Sequence, residues 1–180
     1  VSEEEIEARL DGLLAQLRDI LAESPVCPAY AFGPLSGTRA ISDMERCGYL
    51  PENYVSRLSW WHNSPHHKEG WGYNHIIMML TLLVTFVKAL GNASHWIIGR
   101  IEEMTLAILW HDIGMASTLK PKTMANPDGE GRVPKLYNGE PETTAPLHVK
   151  EALRLLDEQK DKWPDNVVRF TTVRFLVQYH

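Results

Sequence analysis

Four histidines lie on the apolar faces of four separate predicted helices. They are His75, His111, His148 and His180, and Asp112 directly follows His111. Histidine is uncommon in a protein core unless its ring nitrogens find partners, so one such residue alone is most simply a hydrogen-bonded core histidine. Four of them with a carboxylate, projecting inward from facing helices, are a typical ligand set of a metal site in a helical bundle. We therefore predict a metal site between helices.

The ligand types and their spacing narrow this prediction. Imidazole and carboxylate suit Fe, Mn, Zn or Ni, whereas Cys27 and Cys47 do not form the paired motif of a structural zinc site. Neighbouring residues on a helix point about 100° apart, so His111 and Asp112 can reach one centre only near a helix end. Gly114 is a helix-ending residue at the required position.

The hydrophobic pattern predicts an all-α fold that positions these side chains. Ser2 and Glu5 form a capping-box signature before an apolar stripe that runs to Leu21. Further helices are predicted over about 42–47, 51–61, 73–90 and 94–112. Thr143 and Thr144 are the expected caps of a helix from about 146 to 159, and a last helix starts at about 164. Residues 115–146 are predicted to be a long polar loop, without strands.

The composition excludes several classes of protein. The chain has 180 residues, of which 44% are hydrophobic and 23% charged, as expected for one soluble domain. A net charge of −5, without a cluster of Lys and Arg, argues against binding to nucleic acid or an anionic membrane. The longest apolar run, 76–87, is too short to span a bilayer. Unpaired cysteines favour a reducing compartment, so we expect a cytoplasmic protein.

The ends of the chain suggest a fragment. It begins at Val1 rather than at a methionine, and it stops at His180 within an apolar helical pattern.

A short motif resembles a known family. Residues 106–114 are an apolar run ending in His111-Asp112-Ile113-Gly114, which is similar to the signature of the HD-domain superfamily of metal-dependent phosphohydrolases. His75, about 35 residues upstream, matches the first ligand histidine of that family. The segment 67–70, His-Lys-Glu-Gly, resembles the His-x-Glu-Gly segment that precedes this histidine in several HD proteins, including HD regions of tRNA nucleotidyltransferases. His148 and His180 resemble the third and fourth histidines of the binuclear subgroup.

The resemblance covers residues 62–180 and implies an HD-domain helical bundle there. Residues 1–61 are then an N-terminal helical segment that packs on the HD core. The last ligand of the family is an aspartate downstream of the final histidine, and no residue follows His180. The HD domain is therefore expected to be truncated at its C-terminus, unless Asp157, Asp161 or Asp165 serves as the last metal ligand. These three are better explained as part of a solvated face and as a helix start.

The resemblance also implies a site and a reaction. A first metal would lie on His75, His111 and Asp112. A second would share Asp112 and add His148, His180 and the acid that the sequence does not show. Two divalent ions are expected, Fe or Mn, with Zn, Ni and Mg as alternatives. They would activate water for attack on a phosphate monoester or diester, a small molecule or a nucleotide.

Other residues are expected to assist. Glu69 would orient a ligand histidine, or it is only a loop acid. The family often has a lysine where this chain has Met115, so the phosphate would be held by Lys120, Lys122 or Lys135, unless these belong to a merely solvated loop. His66 and His67 are expected at the surface, His67 being the better site candidate.

Two other functions remain consistent with these residues. Similar HD-fold proteins include mixed-valent di-iron oxygenases, such as myo-inositol oxygenase and the phosphonate-cleaving oxygenases, which act on small polar substrates with the same kind of ligand cage. A third reading is a non-catalytic scaffold that binds a nucleotide or a protein. Trp60, Trp61, Trp71 and Tyr73 surround the loop before His75 and are candidates for stacking on a base, or for core and rim packing.

Overall fold

The computed structural model describes residues 1–23, 34–35, 37–90, 99–164 and 168–180. The fold is mostly helical, as predicted. Its helices are α1 (Glu3–Glu23), α2 (Ala40–Cys47), α3 (Gly72–Leu90), α4 (Ile101–Trp110), α5 (Met115–Thr118), α6 (His148–Gln159) and α7 (Phe170–Gln178). Short 3-10 turns cover Ser56–Leu58 and Lys160–Lys162.

Helix α1 begins at the predicted capping box. The Ser2 amide donates to Glu5 Oε2 at 2.9 Å, and the Glu5 amide donates to Ser2 Oγ at 3.2 Å. These two bonds satisfy amides that have no partner within the helix. The apolar stripe of α1 is buried against α2 and α3, through Ile6, Leu10, Leu14, Leu17 and Leu21.

Helix α4 lies at the centre of one continuous core, in contact with α3 and α7. Two buried bonds fasten its C-terminal end to the segment before α3. The Tyr54 hydroxyl donates to the Leu109 carbonyl at 2.7 Å, and Trp110 Nε1 donates to the Tyr49 carbonyl at 2.9 Å. The N-terminal segment thus helps to fix the end of α4, where the His-Asp pair follows.

The prediction of a strandless loop over 115–146 is wrong. After α5, six short strands form three antiparallel pairs, β1 with β6, β2 with β3 and β4 with β5. The strands are β1 (Lys120–Pro121), β2 (Thr123–Ala125), β3 (Arg132–Pro134), β4 (Leu136–Tyr137), β5 (Glu140–Pro141) and β6 (Thr143–Thr144). Asn138 and Gly139 join β4 to β5 with φ of 53° and 83°, which is the backbone of a two-residue hairpin turn. Strands of two or three residues are too short to show a period-2 pattern.

Several predicted boundaries also change. Helix α2 begins at Ala40, two residues earlier than expected, and the predicted helix over 51–61 is reduced to one 3-10 turn, Ser56–Leu58. Helix α6 begins at His148 because Thr143 and Thr144 pair in β6 instead of capping a helix. Helices α4 and α7 are described from Ile101 and from Phe170. The predicted helix starts at Ser94 and Asp165 lie outside the described residues.

Helix α3 is longer than the apolar run that predicts it. Over 19 residues it has a mean hydropathy of 1.5, long and apolar enough to cross a membrane by these two criteria, and one third of it is buried. Core helices of soluble proteins meet the same criteria. Helix α3 packs against α1 and α4 and carries His75, so its buried face belongs to the core.

Candidate metal centre

The structure brings the four histidines and Asp112 together at helix ends. His75 lies in the first turn of α3, and His148 is the first residue of α6. His111 and His180 lie just beyond the last residues of α4 and α7. The expectation that His111 and Asp112 stand at a helix end is confirmed, since α4 ends at Trp110.

Asp112 is the centre of the cluster, and its two carboxylate oxygens face different histidines. Oδ2 lies 3.4 Å from His75 Nε2 and 3.4 Å from His111 Nε2, and these two nitrogens are 3.2 Å apart. Oδ1 lies 3.5 Å from His148 Nε2 and 3.9 Å from His180 Nε2. The five side chains therefore form two groups that share Asp112, and each group could hold a metal ion.

The other ring nitrogen of three of these histidines is bonded to the protein's own backbone. In each case the acceptor is the carbonyl three residues earlier: Ile108 for His111 at 2.7 Å, Ala145 for His148 at 2.6 Å and Val177 for His180 at 2.8 Å. A carbonyl oxygen can only accept, so Nδ1 carries the hydrogen in all three rings. Nε2 of each neutral ring then presents a lone pair towards Asp112.

These lone pairs fit a divalent metal. His75 Nδ1 donates to Glu69 Oε1 at 2.6 Å, so its Nε2 is also an acceptor. When all four rings are neutral, four acceptor nitrogens and two carboxylate oxygens converge with no hydrogen to share. The cluster therefore needs a positive charge, from a metal ion or from a proton on one of the rings. Metal-bound histidines characteristically donate their other N–H to a carbonyl or carboxylate in this way.

The same need for positive charge affects the pKa values of the cluster. Burial alone would raise the pKa of Asp112, but the hydrogen bond and charge of His111 and the charges of His75 and His148 outweigh it and lower this pKa to about 2. Burial would lower the pKa of His111, yet its contacts with Asp112 and with the Ile108 carbonyl raise it. Asp112 is therefore ionised, as a metal ligand must be.

Gly114 allows α6 to approach the turn that carries Asp112. A Cβ at Gly114 would lie 2.2 Å from the His148 carbonyl oxygen and 2.7 Å from the Ala152 amide nitrogen. Both are backbone atoms and cannot move aside as a side chain can. The absence of a side chain at Gly114 therefore lets His148 come within reach of Asp112. Gly114 does not end α4 as predicted, because the helix ends at Trp110 and the glycine has an ordinary helical φ of −74°.

Glu69 lies where an orienting carboxylate is expected. Its Oε1 accepts from both His75 Nδ1 at 2.6 Å and His67 Nδ1 at 3.1 Å. These three residues are also close enough together to hold an ion. Since His75 Nδ1 carries its hydrogen towards Glu69 while Nε2 faces Asp112, a positioning role for Glu69 explains the geometry better than a ligand role.

A cavity of about 910 Å³ opens onto the cluster. The four clustered histidines, Asp112, His62 and His67 form its polar side. The remaining wall is mostly apolar: Met79, Met104, Ala107, Ile108, Met115, Thr144, Ala145, Pro146, Leu176 and Tyr179. The metal candidates thus stand at the polar side of a pocket that suits an organic group.

The candidate lysines are not part of this cavity. Lys122 Nζ and Lys135 Nζ lie 2.8 and 2.9 Å from the two carboxylate oxygens of buried Glu142, and Lys120 is on β1. Among the described residues, no Lys or Arg lines the cavity. The structure therefore does not bring Lys120 or Lys122 to the substrate position predicted for them.

Two of the three aspartates considered as the last metal ligand lie elsewhere in the structure. Asp157 is bonded to Arg174, with oxygen–nitrogen distances of 2.7 and 3.0 Å, and Asp161 is exposed on the 3-10 turn Lys160–Lys162. Within the described part of the chain, neither belongs to a group that could hold a metal. Asp165 lies outside the described residues.

The four aromatic residues near the start of α3 do not line the cavity. Trp61 and Trp71 are exposed and contact each other edge to face, with ring centroids 5.4 Å apart, and Trp71 stacks on Tyr73. Trp60 is buried against Met115 and Ala145. None of the four lines the cavity, so they are placed for packing and not for stacking on a base held there.

His62 is a cavity residue that the sequence analysis missed. It is buried, its ring stacks on His67 with centroids 4.6 Å apart, and its Nε2 lies 3.2 Å from the Thr143 carbonyl oxygen. In the sequence it only begins a loop rich in Pro and Gly, where no periodic pattern shows which way a side chain points. The contact with Thr143 depends on β6, which was not predicted.

Comparison with protein-family models, with curated proteins and with solved structures finds no match for this chain.

Proposed function

We propose that the protein is a metal-dependent phosphohydrolase of the HD-domain type, which hydrolyses a phosphate monoester or diester of a small molecule or nucleotide. The observation that carries this proposal is the convergence of four histidine Nε2 atoms on the two oxygens of Asp112, at the polar side of a large cavity. Phosphate ester hydrolysis needs charge neutralisation at the phosphoryl oxygens and an activated water.

The residues would divide this work between two positions. His75 and His111 would hold one ion with Asp112 Oδ2, and His148 and His180 a second with Oδ1. Divalent ions there, Fe or Mn first, would act as Lewis acids towards the ester and lower the pKa of a bound water. Glu69 would keep His75 in the correct tautomer and make its Nε2 a stronger donor to the metal.

The apolar wall supports the same function in two ways. Side chains such as Met79, Ile108 and Leu176 would receive the organic part of the ester. A substrate bound against them would also displace water from the polar side, and electrostatic interactions are stronger where water is excluded.

The direct test is hydrolysis of p-nitrophenyl phosphate and bis(p-nitrophenyl) phosphate. Protein freed of metal with a chelator is expected to release nitrophenolate from at least one of them only after Mn²⁺ is restored. The double variant His111→Ala/Asp112→Ala should fall to background, whereas His66→Ala, a change at an exposed histidine of the same region, should keep the activity. Full activity of the double variant would show that the site is elsewhere.

A second candidate is an HD-fold di-iron oxygenase that acts on a small polar substrate. One observation favours it: the described cavity lining lacks the Lys and Arg that commonly bind phosphate. Oxygen uptake that depends on Fe²⁺ and on a substrate without phosphate, together with no Mn²⁺-dependent ester hydrolysis, would replace the first proposal by this one.

A further inference from the structure

His67 lines the cavity beside the metal cluster and has one ring nitrogen without a partner. Its Nδ1 lies 3.1 Å from Glu69 Oε1, and its side chain is 32% exposed. Its Nε2 forms no hydrogen bond with a described residue and is not fully buried. This nitrogen is therefore accessible, in contrast to the buried Nδ1 of the neighbouring His62.

The neighbours of His67 determine which edge of its ring faces the cavity. Glu69 contacts the Nδ1 edge and does not itself line the cavity. His62 stacks on the ring with centroids 4.6 Å apart, and His75 meets it at 72° with centroids 5.5 Å apart. The two nitrogens of an imidazole point away from each other. The edge that remains to line the cavity is therefore the one that carries Nε2.

This edge lies next to the first ligand group. The ring of His67 contacts that of His75, and Nε2 of His75 is 3.4 Å from Asp112 Oδ2. A phosphate ester bound at the cluster would therefore lie beside His67, with its organic part towards the apolar wall.

The departure of an alcohol from phosphorus needs a proton donor at this place. When the P–O bond to the alcohol breaks, its electron pair stays on the leaving oxygen, and an unprotonated alkoxide is a poor leaving group. A positioned acid that gives this oxygen a proton typically contributes roughly 10²–10⁴-fold to the rate. The carboxylate of Glu69 at Nδ1 would stabilise the cationic ring and hold its orientation, as a buried aspartate does for the catalytic histidine of serine proteases.

We infer that His67 is the catalytic acid of the proposed reaction: its Nε2 gives a proton to the leaving ester oxygen while Glu69 holds its Nδ1. This inference rests on the proposed phosphohydrolase function. The attacking water forms the new bond to phosphorus and releases a proton. The bond to the leaving oxygen breaks, its electron pair stays on that oxygen, and the proton from Nε2 makes the neutral alcohol. His67 keeps its other hydrogen on Nδ1, and the proton released by the water restores the cationic ring.

The test compares two leaving groups of similar shape. p-Nitrophenolate is a stable anion and leaves without a proton, whereas p-nitrobenzyl alcohol has to be protonated as it leaves. In the Mn²⁺-loaded protein, His67→Gln should lower kcat/KM for p-nitrobenzyl phosphate, or for the corresponding diester, by roughly 100-fold or more and change that for the p-nitrophenyl ester by less than about threefold. His66→Gln, the matched control at an exposed histidine, should leave both values unchanged.

Two measurements without turnover separate proton transfer from a structural role. The metal content and the circular dichroism of His67→Gln should match those of the wild-type protein. A loss of metal from this variant would show that His67 acts through Glu69 and His75, and it would overturn the inference. If His67→Gln fails to fold, His67→Asn, whose side-chain amide can keep a bond to Glu69, should show the same selective loss.

Failure of the proposed function and failure of this inference give different results. If the wild-type protein hydrolyses neither ester, the function is rejected and the role of His67 with it. If the wild-type protein hydrolyses only the p-nitrophenyl ester, or if His67→Gln changes both esters equally or neither of them, the function stands and the role of His67 is rejected. A selective loss in Tyr179→Phe, another cavity residue with a proton, and not in His67→Gln would also reject it.

Discussion

In three histidines of the cluster, a hydrogen bond to a nearby backbone carbonyl fixes the tautomer of the ring. In the fourth, a hydrogen bond to a side chain does so. His111, His148 and His180 each donate from Nδ1 to the carbonyl three residues earlier. This bond forms wherever the local helix end forms. His75 instead donates from Nδ1 to the carboxylate of Glu69. Its tautomer therefore depends on a side chain, which a substitution can remove.

At this scale we predict that Glu69→Ala weakens metal binding. Without its acceptor, the His75 ring can rotate or change tautomer, and loss of such a partner typically costs 10–100-fold in metal affinity. Competition with a fluorescent chelator measures the affinity for Mn²⁺ or Zn²⁺. Glu130→Ala, at an exposed acid in the turn between β2 and β3, is the control and should have no effect. Equal affinity of Glu69→Ala and the wild-type protein would show that Glu69 does not position His75.

At the scale of elements, the ends of four helices do the positioning. The end of α4 is held by the buried bonds of Tyr54 and Trp110, and α6 comes close to the following turn because residue 114 has no side chain. The second ligand group thus depends on a contact between two backbones. The first group depends on α3 and α4, which pack directly against each other.

This difference predicts a selective effect of Gly114→Ala. The added methyl group would force α6 away, so His148 should lose its place beside Asp112 and the second ligand group should weaken more than the first. A metal titration should show one of two binding steps lost or strongly weakened. Gly12→Ala in α1 is the matched control, because outside the local backbone of α1 no described atom lies within 4 Å of the added Cβ. Removing a helical glycine should stabilise by about 0.5–1 kcal/mol. Two unchanged binding steps in Gly114→Ala would contradict this account of α6.

How far the sequence predicts these elements depends on the length of each pattern. Helices α1, α3 and α4 carry several turns of apolar periodicity. His75 in α3 and His111 after α4 could be assigned to inward faces for that reason. Asn138-Gly139 is a hairpin signal, but the flanking strands are too short for alternation to support it. His62 and the backbone contact of Gly114 arise from tertiary packing between distant segments, which one sequence does not show.

At the scale of the whole molecule, one continuous core contains residues of both the N-terminal segment, 1–61, and the following part, 62–180. It extends from Ile6 to Val177. Glu102 in α4 is 1% exposed within it. Neither of its carboxylate oxygens makes a hydrogen bond of normal geometry to a described residue. Burial is the main cause that raises the pKa of Glu102 to about 7, with Glu103 adding to the shift and the Leu35 backbone opposing it.

The raised pKa of Glu102 predicts a pH-dependent stability. The unfolded chain loses this proton near pH 4.5 and the folded protein near pH 7, so the free energy of unfolding should fall as the pH rises between these values. The difference corresponds to a cost of about 3 kcal/mol above pH 7. Glu102→Gln should lack this fall and be more stable at pH 8, as measured by urea unfolding of the metal-free protein.

The neighbouring acid provides the comparison. Glu103 is paired with Arg100 at 3.0 Å, so Glu103→Gln removes an ion pair and should destabilise the protein at pH 8. If Glu102→Gln followed the same pH dependence as the wild-type protein, Glu102 would not be the buried acid responsible.

The most direct test of the central claim is the metal content of the protein with and without Asp112. After loading with Fe²⁺ or Mn²⁺ and removal of free ions, elemental analysis should find two equivalents per chain in the wild-type protein. Asp112→Ala should lose both, because each ligand group uses one oxygen of this carboxylate. A wild-type protein that retains no metal, or an Asp112→Ala variant with the full wild-type content, would contradict the assignment of this cluster as a metal centre.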